Sequence, residues 1–284
     1  MDYKKFSNLT NDLIYSDIDQ AKKKDMWKEI KKEIINSKNH SRHISKLIEI
    51  LKLKREAVIL DHGCGSCSTI LYLLCLGYKN IWGIDISCDE EKLNSFLKNI
   101  CQFEEKRIFN YDGKTLPFKS KKFDLIISQQ VLEHVRYENQ EITIKEQSRV
   151  MKSGGYAYYQ IPHLFVPYEA HTKTWFIHWL PRKIALLFYK VINKNFLFFK
   201  DHLFLSSPFK YKNIIKKEIG KIEDLSLERV SMFNNEFNEF KGLSLFIRFL
   251  VAKLCGLPII GKIIVKIVSN FIMIEILAIK NDRS

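Results

Sequence analysis

The sequence predicts an α/β domain built on a parallel sheet, and three observations carry that prediction. Ala57 to Ser87 reads as an apolar run, a glycine-bearing turn, a helix, a second apolar run and an acid. Strand-like runs then return near 107–111, 123–128 and 155–161, at the spacing of alternating strands and helices. The chain has 284 residues and 46% hydrophobic content, enough for a substantial core in one enlarged domain.

The elements follow in order. Residues 1–56 are basic and amphipathic and are expected to form an N-terminal helical cap, with residues 57–284 as the main domain. Ala57 to Leu60 is short, apolar and free of breakers, which suits a strand buried on both faces, spanning 57–62. Ser66, Ser68 or Thr69 can cap the next helix, and Gly77 ends it. The second strand covers 80–86. Ser206-Ser207-Pro208 opens a helix to about Ile219, Leu225 to Phe233 reads as strand six, and Phe271 to Ile279 as strand seven. Two insertions stand out, at 163–205 and 236–269. No internal repeat or low-complexity linker marks a second independent domain.

In Asp61 to Cys67, DHGCGSC, Gly63 and Gly65 let the backbone turn sharply and approach a ligand that a Cβ would push away. Asp85 closes the second strand about twenty residues later, where an acid can accept both hydrogen bonds of a ribose diol. These residues alone describe a nucleotide site, with NAD and S-adenosylmethionine both open.

The later motifs decide between the two. Asn110-Tyr111-Asp112-Gly113, Leu116-Pro117-Phe118, the run Phe123 to Val135 and Arg149-Val150-Met151-Lys152-Ser153-Gly154-Gly155 arrive in order. Together with the glycine turn they resemble the class I S-adenosylmethionine-dependent methyltransferases, in particular the methyltransferase type 11 group, over roughly Ala57 to Pro162. The resemblance implies a Rossmann-like sheet of seven strands, mostly parallel, with the last strand inserted antiparallel between the fifth and sixth positions and helical insertions around it. It implies S-adenosyl-L-methionine as cofactor. Asp61, Gly63, Cys64 and Gly65 would surround its amino acid end, and Asp85 with Ile86 its ribose. Asp112, with Tyr111 and Gly113, would lie at the adenine. Ser128 and Gln129 would border the methionine part and face the substrate. Two positions depart from the pattern: Cys67 stands where a third glycine is usual, and Ser153 where a proline is common.

Methyl transfer to a hydroxyl needs a group to receive the proton. His134 follows the fourth strand, His163 follows the fifth, and His171 lies beside Glu169 in the first insertion. All three are candidate bases, with His163 and His171 preferred because they sit in the variable region that would choose the acceptor. Asp124 reads as a strand-start residue and Glu133 as a helix-end or core carboxylate, and both are left outside the candidate site.

Thirteen aromatics crowd His163 to Tyr211, which suits a lid or acceptor pocket, or else a satellite hydrophobic core. Within this run Glu169-Ala170-His171 and Trp179-Leu180-Pro181 are similar to an E-x-H and W-L-P pattern of methyltransferases from bacterial surface-glycan gene clusters. The expected acceptor is therefore a sugar or lipid-linked glycan. A small-molecule or quinone-precursor O-methyltransferase and a non-catalytic cofactor-binding scaffold or regulatory partner are the alternatives.

The net charge is +14, yet residues 57–162 carry 13 basic and 13 acidic side chains against 19 and 10 in 163–284. With the excess outside the cofactor region, no clustered arginine and no RNA-binding module, no nucleic-acid partner is expected. Lys241 to Ser269 is apolar but dotted with Arg248, Lys253, Lys262 and Lys266, which suits either a helix on an anionic membrane surface or two core helices. The early charges of MDYKKFSNLTNDL do not read as a secretory signal, and no apolar run reaches a spanning length. The expected location is cytoplasmic, with room for peripheral contact at the inner membrane face. Among six cysteines Cys64 and Cys67 form C-x-x-C, but no second pair completes a metal site, so no metal is expected.

Overall fold

The computed structural model describes residues 3–36, 42–226, 253–254, 257 and 260–281. Three helices come first: α1 (Tyr3–Tyr15), α2 (Gln20–Asn36) and α3 (Arg42–Leu51). Each buries one stripe, made of Phe6, Leu13 and Ile14 on α1, Trp27, Ile30 and Ile34 on α2, and Ile44 and Leu47 on α3. The spacings of three, four and seven place those residues on one face, as amphipathic helices require.

The alternation then begins with β1 (Ile59–His62), α4 (Ser68–Cys75), β2 (Ile81–Asp85), α5 (Glu90–Asn99), β3 (Ile108–Asn110), β4 (Phe123–Gln129), α6 (Gln140–Val150) and β5 (Met151–Ile161). A small antiparallel ribbon follows, β6 (Tyr168–Glu169) with β7 (Thr174–Trp175). After it come α7 (Arg182–Val191), α8 (Phe196–His202), α9 (Pro208–Glu218), β8 (Gly220–Asp224), α10 (Ile260–Ser269) and β9 (Ile274–Lys280).

Seven strands form one sheet in the order β3-β2-β1-β4-β5-β9-β8. β2 runs parallel to β1 and β3, whereas β9 runs antiparallel to β5 and β8. This is the expected Rossmann-like arrangement, with the last strand reversed between the fifth and sixth positions. One boundary needs correction. Strand six was expected at Leu225 to Phe233 but occupies Gly220–Asp224. Gly220, at φ 137°, carries the chain straight from α9 into the strand, and a Cβ there would collide with the Asn281 side chain. Residues 227–250, and with them part of the second insertion, lie outside the described residues.

The chain packs as two compact units, residues 1–127 with 149–155, and residues 128–148 with 156–284. In the first, Ile59, Leu60, Ile81 and Ile84 are fully buried, which is why β1 and β2 read as continuous apolar runs. Asp124 fastens the start of β4, accepting from the Val58 amide at 2.8 Å and pairing with Lys152 at 2.9 Å. In the second, Ala185, Tyr189, Phe199, Leu203 and Leu205 make a core of their own. The aromatic-rich insertion is thus partly a satellite core. No helix among the described residues is long and apolar enough to cross a membrane.

Candidate functional site

The glycine turn is held to β2 by its own backbone. The amides of Gly63 and Cys64 both donate to the Ile84 carbonyl, and the Gly65 amide donates to Asp85 Oδ2 at 2.9 Å. Gly65 has φ +48°, and nothing lies within 4 Å of where its Cβ would be, so the loop faces open space. Cys67 also adopts a left-handed conformation, φ 62°, and starts α4 without a side-chain cap. A cysteine therefore holds the conformation for which glycine is best suited, and it, rather than the serines or threonine expected as caps, occupies the N-cap position. Hydrogen bonding with Cys67 and burial push the Cys64 thiol far up, so it is a protonated small side chain filling the turn. All five described cysteines are free.

The acids of this unit differ sharply. Asp61 is buried, and desolvation together with the nearby charge of Asp85 pushes its carboxyl up to about 7. Asp85 is half-buried, with Oδ1 accepting the Ser87 amide at 3.0 Å and Oδ2 the Gly65 amide. Each oxygen keeps lone-pair capacity for a further donor. Asp112 is exposed, and its Oδ1 accepts the amides of Lys114 and Thr115, which hold its carboxyl low. Ile86 is 64% exposed, and its Cγ2 lies 3.5 Å from the Cβ position of Gly113. The Tyr111 hydroxyl meets His62 Nε2 at 2.8 Å. His62, which sequence reasoning overlooked, is buried and pushed down to about 4 by desolvation, so it stays neutral.

In the second unit, Ser128 Oγ is buried without a hydrogen-bond partner, and Gln129 Nε2 donates to Gln160 Oε1 at 2.9 Å. Beyond them the loop carrying Glu133 and His134 is fixed by Gln140, whose Nε2 donates to the carbonyls of Leu132, Val135 and Phe204. His134 Nδ1 donates to the His202 carbonyl at 2.7 Å, and His171 Nδ1 lies 2.7 Å from Glu169 Oε1. The two imidazoles meet edge to face with centroids 5.0 Å apart, and Phe198 stacks on His171. Burial works against ionisation of Glu169, but hydrogen bonds from His171 and Thr172 overcome it and hold the carboxyl at about 2.

Glu133 belongs to this cluster, although the sequence placed it among structural carboxylates. It is fully buried, neither carboxylate oxygen has a hydrogen-bond partner, and desolvation pushes it up to about 8. His163 stands apart. It is fully buried, with Nε2 bonded to the Ile272 carbonyl at 2.7 Å and Nδ1 accepting the Phe165 amide at 3.2 Å. Burial pushes it down to about 4. Both ring nitrogens are committed, so His163 keeps no free lone pair for the base role expected of it.

The family model described as a methyltransferase domain matches residues 60–159, from β1 to the end of β5. Residues 60–159 are a methyltransferase domain. A search of the curated proteins finds no match. Among solved structures, the YcgJ protein from Bacillus subtilis is 16% identical with a TM-score of 0.48, over 84% of this chain and 98% of that one. A phosphoethanolamine N-methyltransferase 2 from Haemonchus contortus is 13% identical with a TM-score of 0.49, over 85% of this chain but 53% of that one. Geranyl diphosphate C-methyltransferase from Streptomyces coelicolor is 14% identical with a TM-score of 0.47, over 89% and 84%.

The cofactor of this domain class is S-adenosylmethionine, and the residues present fit it. The spare lone pairs of Asp85 suit a ribose diol, and the exposed Ile86 offers an apolar surface to a purine. A buried acid at about 7, Asp61, gains from an ammonium that lets it ionise. The open Cβ space at Gly65 leaves the methyltransferase domain room for the ligand's close approach.

Proposed function

We propose that the chain is an S-adenosylmethionine-dependent O-methyltransferase whose acceptor is a sugar or a lipid-linked glycan. The cofactor supplies a methyl group already activated on a sulfonium. The protein's part is alignment, exclusion of water and management of one proton. Asp61 and the glycine turn would hold the amino acid end, Asp85 the ribose, and Ile86, Tyr111, Asp112 and Gly113 the base, with Ser128 and Gln129 bordering the methionine part.

The observation that carries the hydroxyl acceptor is the pair His171 and Glu169. An ionised carboxylate fixed by three other donors accepts the Nδ1 proton, so Nε2 is the ring atom placed to serve as a base. An amine, thiol or activated carbon acceptor has far less use for such a pair. His134 repeats the arrangement with a carbonyl as its partner.

A lipid-bearing acceptor is favoured by the surface of the aromatic insertion. Trp175, Phe176, Leu187, Val191 and Leu197 are exposed at 49–75%, and Lys183, Lys190 and Lys194 are exposed among them. Apolar bulk flanked by cations fits peripheral contact with an anionic membrane face, here on the cytoplasmic side. The direct test is transfer of a labelled methyl group to a panel of glycans, glycolipids, phenols and amines. Labelling of a glycan or glycolipid hydroxyl, reduced about 10²- to 10⁴-fold in kcat by His171→Ala, is expected. Labelling confined to amines would overturn the reading, and labelling of phenols alone would transfer it to a small-molecule acceptor.

A further inference from the structure

Three side chains of the second unit converge without bonding one another. Glu133, His134 and His171 each offer a ligand atom, and these atoms all lie within 4.8 Å of one another. His134 Nε2 is 3.9 Å from Glu133 Oε1, too far for a hydrogen bond. The carboxylate is wholly buried, aimed at two imidazoles, and neither oxygen has a hydrogen-bond partner. A structural carboxylate in that position would be bonded.

The tautomers are settled by the partners. A carbonyl oxygen can only accept, so His134 Nδ1 carries the proton that meets the His202 carbonyl. Glu169 also receives amide and hydroxyl donors from His171 and Thr172. It therefore acts as an ionised acceptor and fixes the proton of His171 on Nδ1. Both Nε2 atoms are left as lone pairs, each ring oriented from behind by an acceptor, as in histidines that bind a metal. Phe198 stacks on one ring and meets the edge of the other, while the two histidine side chains keep 31% and 27% exposure as a way in.

We propose that Glu133, His134 and His171 bind one divalent metal ion of the zinc class, leaving at least one coordination position open to an oxygen ligand. Two imidazoles and one carboxylate are the donor set of a catalytic rather than a closed structural site. Bonds of about 2.1 Å in a tetrahedron put ligand atoms about 3.4 Å apart, so the three atoms need to close by at most about 1.4 Å. Nothing in the spacing of residues 133, 134 and 171 advertises the site. It exists because β6 and β7 return Glu169 and His171 to the loop after β4. The inference stands on this unit alone. If the O-methyltransferase reading also holds, an acceptor hydroxyl in the open position would lose its proton to solvent more readily and attack as the alkoxide, with His171 acting as ligand instead of base.

The test uses the full chain without a polyhistidine tag, stripped by chelator, dialysed and titrated calorimetrically with zinc chloride. Co²⁺ substitution supplies a visible d–d spectrum as a second readout. One equivalent per chain is expected, abolished together with the Co²⁺ spectrum in the double variant His134→Ala, His171→Ala. Glu169→Gln leaves all three ligands but loosens one ring, and should weaken zinc about 10- to 100-fold. The variant Cys64→Ser, Cys67→Ser removes the competing thiols and should keep the equivalent. No stoichiometric zinc on folded protein, an equivalent surviving in the double histidine variant, or its loss in the cysteine variant would each overturn the site. S-adenosylhomocysteine is titrated in parallel on every variant with circular dichroism as the folding check. Nucleoside binding that persists where zinc binding fails removes the metal site and leaves the methyltransferase reading intact.

Discussion

Replacing Asp85 with alanine would remove one carboxylate that works in two directions. Toward the protein it accepts the amides of Gly65 and Ser87. Toward a bound nucleoside it offers the remaining lone pairs to two ribose hydroxyls. A hydrogen bond to a charged acceptor contributes about 1.5–3 kcal/mol. Losing two therefore costs about 3–6 kcal/mol of binding, which is about a 10²- to 10⁴-fold rise in Kd for S-adenosylhomocysteine. The same change should also act on Asp61, because the Asp85 charge helps hold that buried carboxyl at about 7. With Asp85 gone, the pH at which Asp61 ionises should move downward, a signature that simple loosening of the loop would not produce. Calorimetric titration of wild type and variant from pH 5.5 to 8, with NAD as the control ligand, reads both effects. Binding by folded Asp85→Ala within about threefold of wild type would refute the ribose assignment, and NAD binding as tightly as the sulfur nucleoside would refute the choice of cofactor.

Other outcomes follow from the same geometry. A ligand ammonium pairs with ionised Asp61, so affinity for the cofactor should be full above about pH 7 and fall about tenfold per unit below it, a slope that Asp61→Asn abolishes. His163→Ala leaves the Ile272 carbonyl and the Phe165 amide without their partner. At about 1–3 kcal/mol for each unsatisfied group, denaturant unfolding should show a loss of about 2–6 kcal/mol, while nucleoside affinity of the folded fraction is unchanged. Gly83→Ala drives a methyl group to 2.6 Å from Ile70 Cδ1 and 2.9 Å from Cys64 Sγ and Ile108 Cδ1. Overpacking of this kind costs about 1–3 kcal/mol, so Tm should fall, and an unchanged Tm would show that the space under the glycine turn yields freely.

Much of the cofactor region was legible because its physics is local. Strands buried on both faces must be apolar along their whole length, and the turn between β1 and α4 must be small, so both leave their mark within a few residues. Asp124 was legible as a strand-start residue from its position alone, whereas the partners that hold it, Val58 just before β1 and Lys152 on β5, are distant in sequence. Cys67 shows a limit: its departure from glycine was plain in the sequence, but its left-handed backbone was not. The aromatic insertion shows a harder one. On α7, Ala185 and Tyr189 are buried while Ile184, Leu187, Phe188 and Val191 face outward. With apolar residues on both sides, hydrophobic periodicity could not tell the inward face from the outward one. The cluster of His134, His171 and Glu133 was scattered across the sequence by the intervening β5 and the ribbon. Only the return of the chain joins it, and Glu133 lacked any local cue that its carboxyl would remain unbonded.

The place of β9 bears on how the chain is made. β8 pairs with β9, which is synthesised about fifty residues later and also pairs with β5. While a ribosome is still short of residue 274, β5 and β8 both present unpaired backbone, and no order of local folding events can join them. Completion of this half of the sheet must then wait for the arrival of the last strand, and a pause in translation before it would prolong the life of a chain with two open, sticky edges.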